Sequence, residues 1–163
     1  MKKILFFFLF FYILVLVENS FFVHFKFFGG VANLVLLAII LIIFFEKPKA
    51  TSGIIIAAIG GFYLDLFSDF WIGTSVFLLV ILGFLAKKIL DLFHQRKVIH
   101  FILVFLLIFL GYSIGISVIN AVVKSSFHCY LRELSLAGVI YNLILGLFCF
   151  YFTKLCFPNV LEK

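Results

Sequence analysis

Charge is what this chain has least of. Only 12% of its 163 residues are Asp, Glu, Lys or Arg, against 66% hydrophobic, and the mean hydropathy is +1.35. A soluble domain carries about a quarter charged residues, so a fully water-covered surface is excluded and the chain reads as an integral membrane protein. Alternation of apolar and polar residues is missing too: Leu34–Phe45 and Phe101–Gly111 are unbroken apolar runs. A membrane barrel needs that alternation, and a bilayer admits only barrels or helices. A helical bundle is left. The cysteines, Cys129, Cys149 and Cys156, form no CxxC and no Cys/His ligand cluster, and they read as small apolar residues.

Signatures of chemistry are also absent. There is no Gly-x-Ser-x-Gly, no His-Glu-x-x-His and no phosphate loop. His24, His94, His100 and His128 are scattered, with no carboxylate at metal-ligand spacing on a shared face. The sequence therefore predicts no enzyme, no metal and no cofactor. Polar groups at membrane depth, the mark of transporters, are few: Glu18, Asn33, Asp65, Asn120 and Asn142 make no proton ladder. No repeat is evident, and every connection is too short for a soluble domain.

What is present is six apolar segments in a single membrane domain spanning residues 1–163. They run from about Ile4 to Val23, Phe27 to Phe45, Thr51 to Leu66, Ile72 to Leu90, Val98 to Val123 and Leu134 to Phe157. A helix needs about 20 residues to cross a bilayer, so the third is short. The opening Lys2-Lys3 and apolar run lead into Glu18-Asn19-Ser20 without a small-x-small cleavage pattern, and a retained first helix is expected. With six spans and an inner N-terminus, Lys2, Lys3, Lys47, Lys49, Lys87, Lys88, Arg96, Lys97, Lys154 and Lys163 fall inside. Only Lys26, Lys124 and Arg132 fall outside. Basic loops stay cytoplasmic, so both termini are predicted inside. This distribution also accounts for the net charge of +6 without nucleic acid. The inner loop Lys87–His100 reads either as an anchor to anionic lipid or as a docking surface for a cytoplasmic partner.

The carboxylates concentrate where glycine does. Gly60–Ser75 holds Gly60, Gly61, Gly73, Asp65, Asp69 and the only Trp, Trp71. Gly53, Ala57 and Gly61 recur every four residues, and Asp65 continues that face. Gly111 and Gly115 repeat the spacing in the fifth segment, and Gly138, Asn142 and Gly146 do so in the sixth. Small residues let membrane helices approach closely, so these stripes predict a bundle centred on spans three, five and six. Asn142 either bonds another helix or touches a ligand. Asp65 either caps the fourth helix or offers a polar contact to a partner at the outer face.

From Gly61 to Gly73 the sequence resembles MreD, the rod-shape-determining membrane proteins of bacteria. That family has a helix ending in Gly-x-x-x-Asp-(Leu/Phe)-x-Ser, then a short turn and a Gly opening the next helix. Gly61, Asp65, Leu66, Ser68 and Gly73 match it. Pro48 after the second span, Gly53 upstream, and Gly83-x-x-Ala86-Lys87-Lys88 at the end of the fourth also fit. Ala32-Asn33 stands where Pro-Asp is usual, and Asp69-Phe70-Trp71 where a smaller turn is usual.

The resemblance implies a six-span, all-α, non-enzymatic scaffold in the bacterial inner membrane. It implies an MreC-like partner and, through it, MreB and the cell-wall synthases, with lateral peptidoglycan synthesis as the process served. Gly53, Ala57, Gly61, Asp65, Ser68, Asp69 and Gly73 would form the partner or structural motif. The family also resembles the substrate-binding subunits of energy-coupling-factor vitamin transporters, which is the alternative reading. Against it, the first span has no Ala or Gly for the docking surface such subunits use. Association with further copies of itself is left open.

Overall fold

A helix whose whole circumference is apolar has no side to give to water and belongs inside. Leu34–Phe45 is such a helix, and in the computed structural model of the chain it is the central one. The structure describes residues 2–22, 24, 30–47, 50–68, 71–93, 97–124 and 136–156. Its elements are helical throughout: α1 Lys2–Val17, continued by a π-helical turn at Glu18–Phe22, α2 Leu34–Phe45, α3 Ser52–Leu66, α4 Thr74–Asp91, α5 Val98–Lys124 and α6 Leu136–Cys156.

α2 packs against each of the other five, while α3 and α4 form the most extensive pairwise interface. The centre of the bundle is therefore α2, and not the trio of spans three, five and six that the small-residue stripes suggested. Stripes mark where backbones come close, but the position of a helix follows from how much of its circumference is apolar. Val35, Leu36, Leu37, Ile39, Ile40, Ile43 and Phe44 are all buried. Phe44 meets Phe101 of α5 and Phe150 of α6 at ring-centroid distances of 5.4 and 5.6 Å, and those two rings are 4.9 Å apart. The three rings put the start of α5, the end of α2 and the last turns of α6 at one level.

The outward faces are apolar as well. Leu5, Leu9 and Ile13 of α1, Phe77 and Phe84 of α4, and Ile144, Phe148 and Phe152 of α6 are exposed, as lipid-facing side chains are. Leu5–Phe22, Val98–Ile119 and Leu136–Cys156 are long and apolar enough to cross a membrane, whereas α2 and α3 have only 12 and 15 residues.

The bounds of α3 to α6 fall within two residues of the expected segments, and α1 reaches Phe22 only by turning π-helical after Val17. α2 is the exception, for it begins at Leu34 and not near Phe27. Residues 30–33 are non-helical although Val31 and Ala32 are apolar. Asn33 fixes the start by taking the cap position, its side-chain oxygen accepting the Leu36 N–H at 2.8 Å.

Candidate functional site

The α3–α4 turn is organised by one carboxyl group. Asp65 lies in the last turn of α3 and is 2% exposed. Its Oδ2 accepts the N–H of Gly73 at 2.7 Å and that of Val76 at 3.4 Å, and its Oδ1 accepts the N–H of Ser75 at 2.8 Å. Ser75 and Val76 are the second and third residues of α4, whose amides an N-cap side chain ordinarily satisfies. The N-cap residue here is Gly73, which has no side chain and sits at φ 104°. The chain needs glycine for that left-handed turn, so the acceptor comes from the preceding helix.

Gly61, one helical turn before Asp65, makes the reach short. A Cβ there would lie 2.8 Å from the Cα of Val76 and 2.9 Å from its nitrogen, so α3 and α4 touch backbone to backbone. Ser68 donates from Oγ to the Asp65 carbonyl at 3.3 Å. The buried Ser75 hydroxyl shares a 2.9 Å hydrogen bond with the Tyr112 hydroxyl of α5, tying a third helix to the turn. Asp69 lies outside the described residues. Gly61, Asp65, Ser68 and Gly73 are thus one structural unit.

The opposite end of α3 is closed in the same way. Glu46, the C-cap residue of α2, accepts the Gly53 N–H at 2.7 Å, bonds the Ser52 hydroxyl, and pairs with Lys87 of α4. The N-cap residue Thr51 makes no side-chain cap of its own. Burial pushes the Glu46 carboxyl up, but the hydrogen bonds from Lys87, Ser52 and the Gly53 amide, with the Lys87 charge, outweigh it and hold the group below its ordinary value. A Cβ on Gly53 would meet the Glu46 Oε2 at 2.7 Å, so a larger residue there would push the carboxylate out of its place.

A third carboxylate repeats the pattern at α2. Glu18, in the π-helical turn after α1, accepts the Leu34 N–H at 2.9 Å and the Val35 N–H at 3.4 Å. Asn142 of α6 completes that end: its Oδ1 accepts the Asn33 N–H at 2.8 Å, and its Nδ2 donates to the carbonyls of Val31 at 3.0 Å and Gly138 at 2.9 Å. Of the two readings for Asn142, the structure has the interhelical one. Asn33, where a Pro-Asp sequence would have put a carboxylate, caps α2 with an amide oxygen instead.

The remaining small residues are packing contacts. Gly111 and Gly115 face Leu82 and Leu78 of α4, and Gly146 faces Leu37, Phe101 and Phe105. Ala57 is fully buried. The arrangement fastens helix to helix: the acceptors of Glu18, Glu46 and Asp65 are directed at backbone amides. The sequence singles out Asp65 by its glycine stripe, whereas Glu18 stands there only as a polar group at membrane depth and nothing marks Glu46. A carboxylate six to sixteen residues ahead of a helix start is the signal that could have found them.

Comparison with known proteins agrees with this architecture. The family model described as rod shape-determining protein MreD matches residues 1–156. A search of curated proteins and a search of solved structures each found no match, so nothing there supports the transporter-subunit alternative. With the Gly61, Asp65, Ser68 and Gly73 unit assembled at one turn and the match running over nearly the whole chain, this membrane protein belongs to the MreD family of rod shape-determining proteins.

Proposed function

We propose that the chain is a non-enzymatic scaffold that crosses the inner membrane six times with both termini in the cytoplasm. It holds an MreC-like protein and, through it, MreB and the wall synthases, and so helps keep cells rod-shaped by organising lateral peptidoglycan synthesis. The family match over residues 1–156 carries this reading. Its physical support is that the buried Asp65, Ser75, Lys87 and Asn142 side chains each bond another element. This suits a rigid body that presents surfaces to partners. The skew of basic residues toward Lys47, Lys87, Lys88, Lys97 and Lys154 supports the orientation, with the Glu46 end cytoplasmic and the Asp65 end outside.

Asp65 at 2% exposure shapes the outer turn from beneath. Co-purification of the MreC-like protein with wild type and Asp65→Ala is the direct test. Retained binding by a less stable Asp65→Ala variant is expected. Lost binding by a variant that unfolds like wild type would make Asp65 a contact residue. A reporter fused after Arg96 should report the cytoplasm, and one reporting the outside refutes the six-span topology. Failure of the intact chain to capture the MreC-like protein in membranes refutes the scaffold.

A further inference from the structure

We infer that Trp71 and Ile72, the described residues leading from the α3–α4 turn into α4, lie in the outer leaflet, covered by lipid and not by water. This rests on the six-span reading and adds a depth to it. The argument begins with length. α3 has 15 residues, about 22 Å at ~1.5 Å per residue, against a hydrocarbon layer of about 30 Å. Its Ser52 end is held by Glu46 and Lys87 at the level of the exposed lysines Lys47 and Lys88, which sets that end at the inner interface. The Asp65 end then falls short of the outer interface.

α5 gives the same depth independently. Ser75, at the start of α4, is bonded to Tyr112. The apolar span of α5 continues past Tyr112 to Ile119, and the helix to Lys124. Seven further residues to Ile119 add about 10 Å along the axis. The turn therefore lies beside a stretch of α5 that is still apolar.

The chemistry of the turn fits that depth. Non-helical backbone inside a membrane survives only where its polar groups are satisfied by protein. Asp65 takes the amides of Gly73, Ser75 and Val76, and the Trp71 carbonyl accepts the Thr74 N–H at 3.1 Å. Those four amides are bonded to protein, while the side chains of Trp71 and Ile72 are exposed. Trp71 is 73% and Ile72 71% exposed, next to exposed Leu66 and Phe67. Phe62 and Leu66 on α3, and Phe77 and Ile81 on α4, are exposed as well, each pair four residues apart and so on one face of its helix. A surface continuous with the lipid-facing wall takes lipid as its occupant, and an indole with one polar edge suits the headgroup boundary.

Trp71 is the only tryptophan, so the intact chain reports on itself. It is reconstituted in phosphatidylcholine–phosphatidylglycerol vesicles whose acyl chains carry bromine at shallow or deep positions. Expected are blue-shifted emission, loss of fluorescence with brominated chains (larger for shallow bromine), and little loss with aqueous iodide. Trp71→Phe combined with Val122→Trp, which puts the probe on the exposed far end of α5, should be quenched more by iodide and less by bromine. Iodide quenching of Trp71 equal to or above that of the Val122→Trp probe overturns the proposal. Protection of Trp71 from both quenchers also overturns it, because protein, such as a second copy, would then cover the turn. Reporter fusions after Arg96 separate the two levels. If they confirm the crossings and iodide reaches Trp71, the depth fails and the topology stands. If they report the outside, both fail.

Discussion

Replacing Asp65 by Ala strips the acceptor from three amides at a site with little water to replace it. An N-cap alone is worth about 0.5–2 kcal/mol, and each buried donor left unpaired costs about 1–3 kcal/mol. Asp65→Ala should therefore lower the thermal unfolding midpoint of the purified protein well below that of Asp65→Asn, which keeps one acceptor oxygen. Equal midpoints would mean the carboxyl group does not hold the turn. At the other end, Lys87→Met takes the cationic partner from the Glu46 carboxylate, while the bonds from Ser52 and Gly53 stay. Breaking one side of a buried pair costs about 3–5 kcal/mol, and the surviving partners put this case near the lower figure. The lowered folded-state value of Glu46 also fixes a pH dependence. Because the group is held below its ordinary value of 4.5, its stabilisation is fully present above that value and is lost as pH falls through it toward the lowered one. Unfolding midpoints of wild type should drop across that acid window more steeply than those of Glu46→Gln. Parallel curves would remove Glu46 from the account.

Between elements, the deciding quantity is what a glycine leans on. A Cβ on Gly61 meets the backbone of Val76, whereas one on Gly60 meets the side chain of Ile39, nearest at its terminal methyl 2.6 Å away. A side-chain end can rotate aside but a helix backbone cannot, so Gly61→Ala should be the more destabilising of the two in the same melting assay. It should also weaken the Asp65 cap by pushing α4 away. Gly60→Ala costing as much would mean the α3–α4 crossing is less tight than the structure has it. The helices themselves were legible from unbroken apolar runs and the charges between them. The start of α2 was not, because Val31 and Ala32 continue the apolar run and the Asn33 cap that ends it is held by Glu18 and Asn142 from far along the chain. Asp65 was legible because it falls on a glycine stripe. Glu46 was not, because its partners Gly53 and Lys87 are brought to it only by the fold.

For the whole molecule, the arrangement around α2 separates two polar clusters by the length of α3. Sites that far apart with no shared partner add their effects to within about 0.5 kcal/mol. The double variant Asp65→Ala, Lys87→Met should lose the sum of the single losses in equilibrium unfolding. A strongly non-additive result would show the bundle responding as one strained unit. That α2 is central was present in its sequence as apolarity on every side, a plainer signal than the small-residue stripes that drew attention to α3, α5 and α6. Stripes report local approach between two helices, and no pairwise signal says which helix touches all the rest.

Glu18, Glu46 and Asp65 each precede the helix they close. A ribosome delivers the chain from its N-terminus, so every acceptor has already left the exit tunnel when the amides that need it emerge. Each of these helices has its cap on the element before it. The acceptors for the first amides of α2, α3 and α4 are thus available before those helices are complete, while Lys87 and Asn142, made later, add the ion pair at Glu46 and the amide at Asn33.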